Sequence, residues 1–196
     1  MRNLTILKIS PKNLLSLSAV LSHRHCPMFN FLPLLIRLLK LERFKCRGLT
    51  PGEIALCQSV FGGLIDYSKV KVMNHPYLPW QPRHIVMAPS GNIHARSPCF
   101  SNDYSLESLS YQGLFIHEMA HIYQYQQNIN VLLRGALLQS AFFLSFGKYN
   151  PYAYRLQPGK KYFDYNIEQQ GDIARDIFFK RIRNMILSPE DRRPHP

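Results

Sequence analysis

The spacing of apolar residues switches between helical and strand periods along the chain, and each switch marks an element. Leu34, Leu35, Leu38, Leu39 and Leu41 recur as one apolar side of a helix in a Leu-rich N-terminal stretch. Thr50-Pro51-Gly52-Glu53 then places a capping hydroxyl, a proline at the first helical position and an acid three residues after the cap. This capping box predicts a helix to about Leu64. Val70 and Val72 alternate with lysines as a short strand, and the segment from Asn74 to Pro82, with Pro76, Pro79 and Pro82, reads as a loop. His84 to Met87 and Ile93 to Ala95 flank Pro89-Ser90-Gly91-Asn92, the pattern of a hairpin. A small, mainly antiparallel sheet is expected.

Beyond the polar loop Ser101-Asn102-Asp103 the period becomes helical. Leu106, Leu109, Gly113, Ile116 and Ala120 define one long helix to about Gln126. Val131 to Phe146 is almost wholly apolar, as a core helix would be, and too short to span a bilayer. An aromatic loop from Tyr149 to Tyr165 follows. Asn166, with Gln169 three residues on, caps a last helix expected to reach about Ile186. The fold class is therefore α+β, a small sheet packed on helices.

Composition refines this picture in two ways. At 196 residues with 46% apolar side chains the chain can bury a substantial core. Its formal charge of +12 is concentrated in residues 1–49 and near the C-terminus. We divide the chain into a basic Leu-rich region (1–48), a main domain (49–187) and a flexible tail (188–196). The basic region suits contact with an anionic membrane surface. No specific nucleic-acid binding is expected, since Phe29, Phe31 and Phe44 are too few to form stacking platforms. Cys26, Cys46, Cys57 and Cys99 fall at irregular spacings and are read as free thiols. Charged residues interrupt the N-terminal apolar runs, so no clear signal peptide is present and cytoplasmic synthesis before any non-classical secretion is expected.

The chemistry centres on His117-Glu118-Met119-Ala120-His121. On a helix both imidazoles share one face and can hold one zinc ion, with Glu118 directed at a metal-bound water. Chance places such a motif in roughly one chain in a hundred or two of this size, so a third ligand is the test. Glu168 and Asp172, four apart on the last helix, meet it. Glu168 completes a His2Glu site, and Asp172 accepts the other N–H of a ligating imidazole. Gly171 between them suits a close approach of two backbones.

With these residues in place, His117-Glu118-x-x-His121 followed by Glu168-x-x-x-Asp172 is similar to the gluzincins, the zincins with a glutamate third ligand. Leu49 to Ile54, Val60-Phe61-Gly62, Ile65 to Ser68, Phe115 to Gln126 and Tyr165 to Asp172 also resemble the bacterial Vgr-related family of zinc metallopeptidases. That resemblance covers residues 49–180. It implies a zincin-like domain and an association with type VI secretion.

The reaction expected of such a site is hydrolysis of a peptide or related amide, with a peptide or a peptidoglycan stem as substrate. Glu118 is the general base and then the general acid. The aromatic loop offers Tyr152, Tyr154, Tyr162 and Tyr165 as donors to the oxyanion, with Tyr154 and Tyr162 the selected candidates. The strand His84 to Met87 offers an edge for an extended peptide. A second reading from another class is a zinc-stabilised accessory protein that binds a secretion-system component and hydrolyses nothing. The two readings part at Glu118.

Overall fold

A computed structural model describes residues 44–188. The Leu-rich stretch and the tail from Pro189 onward lie outside the described residues. So do Cys26 and nearly all of the basic region assigned to membrane contact.

The described residues form an α+β domain. It comprises β1 (Cys46–Gly48), α1 (Pro51–Phe61), β2 (Lys71–Met73), β3 (Ile93–His94), α2 (Leu109–Gln126), α3 (Val131–Leu144) and α4 (Ile167–Phe178). The Thr50 side chain accepts from the Glu53 N–H at 3.1 Å while the Glu53 carboxylate accepts from the Thr50 N–H at 2.9 Å. The capping box thus forms as the sequence specified. Gly62 at φ +55° stops α1 before Leu64, the position glycine favours just past a helix end. Asn166 and Gln169 cap α4 reciprocally.

Residues 46–48, placed in the N-terminal region by composition, belong to the sheet. β1 pairs antiparallel with β2 through Cys46–Met73, Arg47–Val72 and Gly48–Lys71. The compact unit begins at Phe44. Arg47 anchors this edge: its two terminal nitrogens donate to the Glu53 carboxylate at 2.8 and 2.7 Å. Glu53 is fully buried and also accepts from the Tyr104 N–H at 2.9 Å, so its charge is matched on several sides.

The expected antiparallel hairpin is only partly realised. β3 pairs in parallel with β2, and residues 84–87 contribute one antiparallel bridge, Met87 to His94. The reason lies in Gln81, almost fully buried, whose side-chain amide donates to the carbonyls of Ile85 and His94 at 2.7 and 3.1 Å. The Ile85 carbonyl is thus satisfied by a side chain outside any ladder, while the His94 carbonyl also accepts from the Met87 N–H at 3.1 Å within the bridge.

The core gathers Cys57, Phe61, Val72, Ile93, Phe115, Met119 and Ile173 around α2, which packs along α4. The described cysteines Cys46, Cys57 and Cys99 are free thiols. Helix α4 ends at Phe178 instead of near Ile186. Lys180 adopts φ +57°, and the N–H groups of Lys180 and Arg181 fold back to the carbonyls of Ile177 and Asp176, both at 2.9 Å. This closure normally carries a glycine, so the sequence offers no signal for it.

Helix α3 is not the core helix its composition suggested. Among the described residues Val131 is its one buried side chain, and it packs with the partly buried Leu138 against Ile129, Ile167 and Phe163. Leu133, Leu137 and Leu144 are exposed. Apolar residues surround this helix, but the domain covers one side of it. Among the described residues no helix is long and apolar enough to cross a membrane.

Candidate metal centre

Helices α2 and α4 bring the candidate ligands together. His117 and His121 are one turn apart on α2, with ring centroids 5.0 Å apart, and Glu168 lies in the first turn of α4. Glu168 Oε2 stands 3.4 Å from His117 Nε2 and 3.6 Å from His121 Nε2. All three ligand atoms lie within 4.8 Å of one another. Atoms held about 2.1 Å from a tetrahedral ion are separated by roughly 3.4 Å, so this donor set fits a zinc ion.

The outer nitrogens are already committed. His117 Nδ1 donates to Asp172 Oδ1 at 2.9 Å, and His121 Nδ1 donates to Gln124 Oε1 at 2.8 Å. Both imidazoles are thereby oriented with Nε2 toward Glu168. Asp172 is in turn held by Arg175 at 3.0 Å. Gln124 is fully buried and donates to the Ile167 carbonyl and to Gln170 Oε1, tying α2 to the start of α4.

Gly171 makes this approach sterically feasible. A Cβ built there would lie 2.5 Å from Cε1 of His117 and 2.6 Å from its Nδ1. The imidazole lies directly against the α4 backbone.

The charges show the cost of bringing these groups together without a metal. Burial works against a charged His117, yet the hydrogen bonds to Asp172 and Glu168 win and raise its pKa to about 9. Burial likewise opposes ionisation of Glu168, but His117 and His121 hold it well below the usual carboxylate range. Glu118 behaves in the opposite way: burial raises it to about 7, partly countered by the two histidines. Its Oε2 is buried without a hydrogen-bond partner. An acceptor in that position is available to a molecule entering the site.

A cleft of about 1300 Å³ opens beside the cluster. His117, Glu118, His121, Glu168 and Asp172 line it together with Tyr152, and so do Trp80, Ile85, Leu132 and Phe143. The structure does not bring Tyr154 or Tyr162 to this cleft. The Tyr154 hydroxyl donates to Asp176 Oδ2 at 2.5 Å, and Tyr162 is buried with its hydroxyl donating to the Gln170 carbonyl at 3.2 Å. Tyr152 takes that place, its ring centroid 6.4 Å from that of His117. His84, which no spacing singled out, also lines the cleft. Gln124 went unnoticed in the sequence although its position, three residues after His121, carried the signal.

No family model matches the chain. The type VI secretion system spike protein VgrG2b of Pseudomonas aeruginosa is 52% identical over 136 residues, which are 69% of this chain and 13% of that protein. The solved effector domain of P. aeruginosa VgrG2b is 54% identical and superposes with a TM-score of 0.63, covering 68% of this chain and 73% of that domain. The chain belongs to the VgrG2b effector-domain family. The Vgr-related part of the resemblance is thereby borne out. The chain spans only about an eighth of the length of the spike protein itself.

Proposed function

We propose that this domain is a zinc metallopeptidase of zincin type, carried as an effector by a type VI secretion apparatus, that hydrolyses a peptide or related amide bond. The observation that carries the reading is the union of a three-donor cluster with the buried, unpartnered Glu118 carboxylate on the wall of an open cleft. His117, His121 and Glu168 would hold the ion, with Asp172 and Gln124 orienting the imidazoles. Bound zinc supplies a Lewis acid that polarises a carbonyl and acidifies water. Glu118 accepts a proton from the attacking water and returns it to the leaving amine, a task suited to a carboxylate whose pKa lies near neutrality. Tyr152, the loop tyrosine that lines the cleft, would donate to the developing oxyanion.

The segment from His84 to Ala88 borders the cleft and supports the idea of an extended peptide lying along it. A peptide or a peptidoglycan stem would suit this space. Likeness to a spike protein makes a secretion-system component the natural carrier, with synthesis in the cytoplasm before delivery. A purely structural zinc site would give no reason to bury Glu118 beside the ligands without a partner.

The test pairs two variants. Glu118→Gln is expected to retain about one zinc per chain by elemental mass spectrometry while turnover of a peptide library falls by roughly 10²–10⁴. Glu168→Ala is expected to lose zinc. Undiminished turnover in Glu118→Gln would sink the catalytic assignment, and normal zinc retention in Glu168→Ala would remove the third ligand.

A further inference from the structure

Helix α3 carries apolar side chains on every face and is packed on one. Leu132 and Phe143 line the cleft, whereas Leu133, Leu137 and Leu144 point away from the domain and are 56%, 62% and 80% exposed. Just past the helix, Phe146 is 94% exposed. The chain's single tryptophan, Trp80, lines the same cleft and is 75% exposed. Helices that are apolar all round belong in a core or in lipid, and a patch of this kind on a domain surface marks a contact.

The charge pattern selects the partner. No acidic residue lies between Glu118 and Asp164, a span that contains α3, the Phe146 turn and the aromatic loop. Arg134 on α3 and Lys148, two residues past Phe146, are exposed. Bulky apolar side chains beside exposed cations complement an anionic phospholipid interface, which offers acyl chain and negative headgroup side by side. At 14 residues α3 is about 21 Å long. That falls short of a bilayer core of roughly 30 Å, so the helix would lie along the interface instead of crossing it. Trp80 suits the same boundary, where tryptophan is enriched.

We propose that the rim formed by α3, Phe146 and Trp80 docks this domain onto an anionic phospholipid surface, setting the mouth of the cleft against the bilayer. The docking surface does not depend on the metal reading.

The single tryptophan provides the probe. The 196-residue chain is mixed with phosphatidylcholine vesicles, with and without phosphatidylglycerol, and followed by flotation and by quenching of Trp80 with brominated acyl chains. Wild type is expected to float with phosphatidylglycerol vesicles, to be quenched, and to be released by added salt. The triple variant Phe143→Ser, Leu144→Ser, Phe146→Ser is expected to lower partitioning roughly a hundredfold. The double variant Arg134→Glu, Lys148→Glu should lower it about tenfold or more. A thermal melt and the zinc content of each variant confirm that the domain still folds. Undiminished flotation of the triple variant would overturn the proposal, because another segment would then hold the lipid. Flotation without quenching of Trp80, or no flotation of wild type, overturns it as well. So does concentration-dependent self-association, without lipid binding, that the triple variant abolishes, since the patch would then cover a second copy.

Discussion

Replacing Gly171 by alanine would place one methyl group against the imidazole that the metal reading needs most. The new Cβ would lie 2.5 Å from Cε1 of His117, so the ring must retreat by about 0.9 Å to reach the 3.4 Å of ordinary contact. Metal–ligand distances tolerate about 0.2 Å. A shift of that size also strains the 2.9 Å hydrogen bond to Asp172 that orients the ring. Loss of such an orienting contact typically lowers metal affinity 10- to 100-fold. Two opposing terms act on the fold itself. Alanine favours a helix interior by about 1 kcal/mol over glycine, while overpacking costs about 1–3 kcal/mol. The net loss for the metal-free domain is therefore small, about 0–2 kcal/mol, or a few degrees in Tm. Competition with a chromophoric chelator measures zinc affinity, and a thermal melt of metal-free protein measures the fold. A variant that binds zinc within twofold of wild type would refute the reasoning, because it would show that the His117 ring does not depend on the bare α4 backbone. A variant that unfolds outright would mean that the packing cost had been underestimated.

Two further outcomes follow from buried charge. Arg47→Ala should destabilise the domain by about 3–5 kcal/mol in denaturant titration, because it strands the fully buried Glu53 carboxylate without its bidentate partner; a loss below about 1 kcal/mol would show that water replaces the guanidinium. In the metal-free protein His117 is raised to about 9 from an ordinary value of 6.5. Its contribution to stability is thus complete below about pH 6.5 and lost as pH rises through about 9. Urea midpoints should fall across that window by the equivalent of a few kcal/mol. With saturating zinc the trend should reverse, since the metal competes with a proton for His117 and binds more tightly as pH rises.

Much of the site was legible in the sequence because helical spacing is a local property. Four residues make one turn, so His117 and His121 had to share a face wherever α2 packed, and Glu168 and Asp172 had to share a face of α4. Caps are local in the same sense, which is why Thr50 and Asn166 announced their helices. Tertiary structure alone decided how those two faces meet: that Glu168 comes within 3.4 and 3.6 Å of the two histidines, that Gln124 orients His121, and that the Gly171 backbone admits the His117 ring. It also decided which tyrosine enters the cleft. Tyr152, Tyr154 and Tyr162 share one aromatic loop, and nothing in their spacing separates a hydroxyl anchored on Asp176 or Gln170 from a ring beside His117. The exposure of α3 and the parallel pairing of β3 were hidden for the same reason. An apolar run states what a helix can bury, and a strand states what it can pair. Only the packed chain determines how much of either finds a partner.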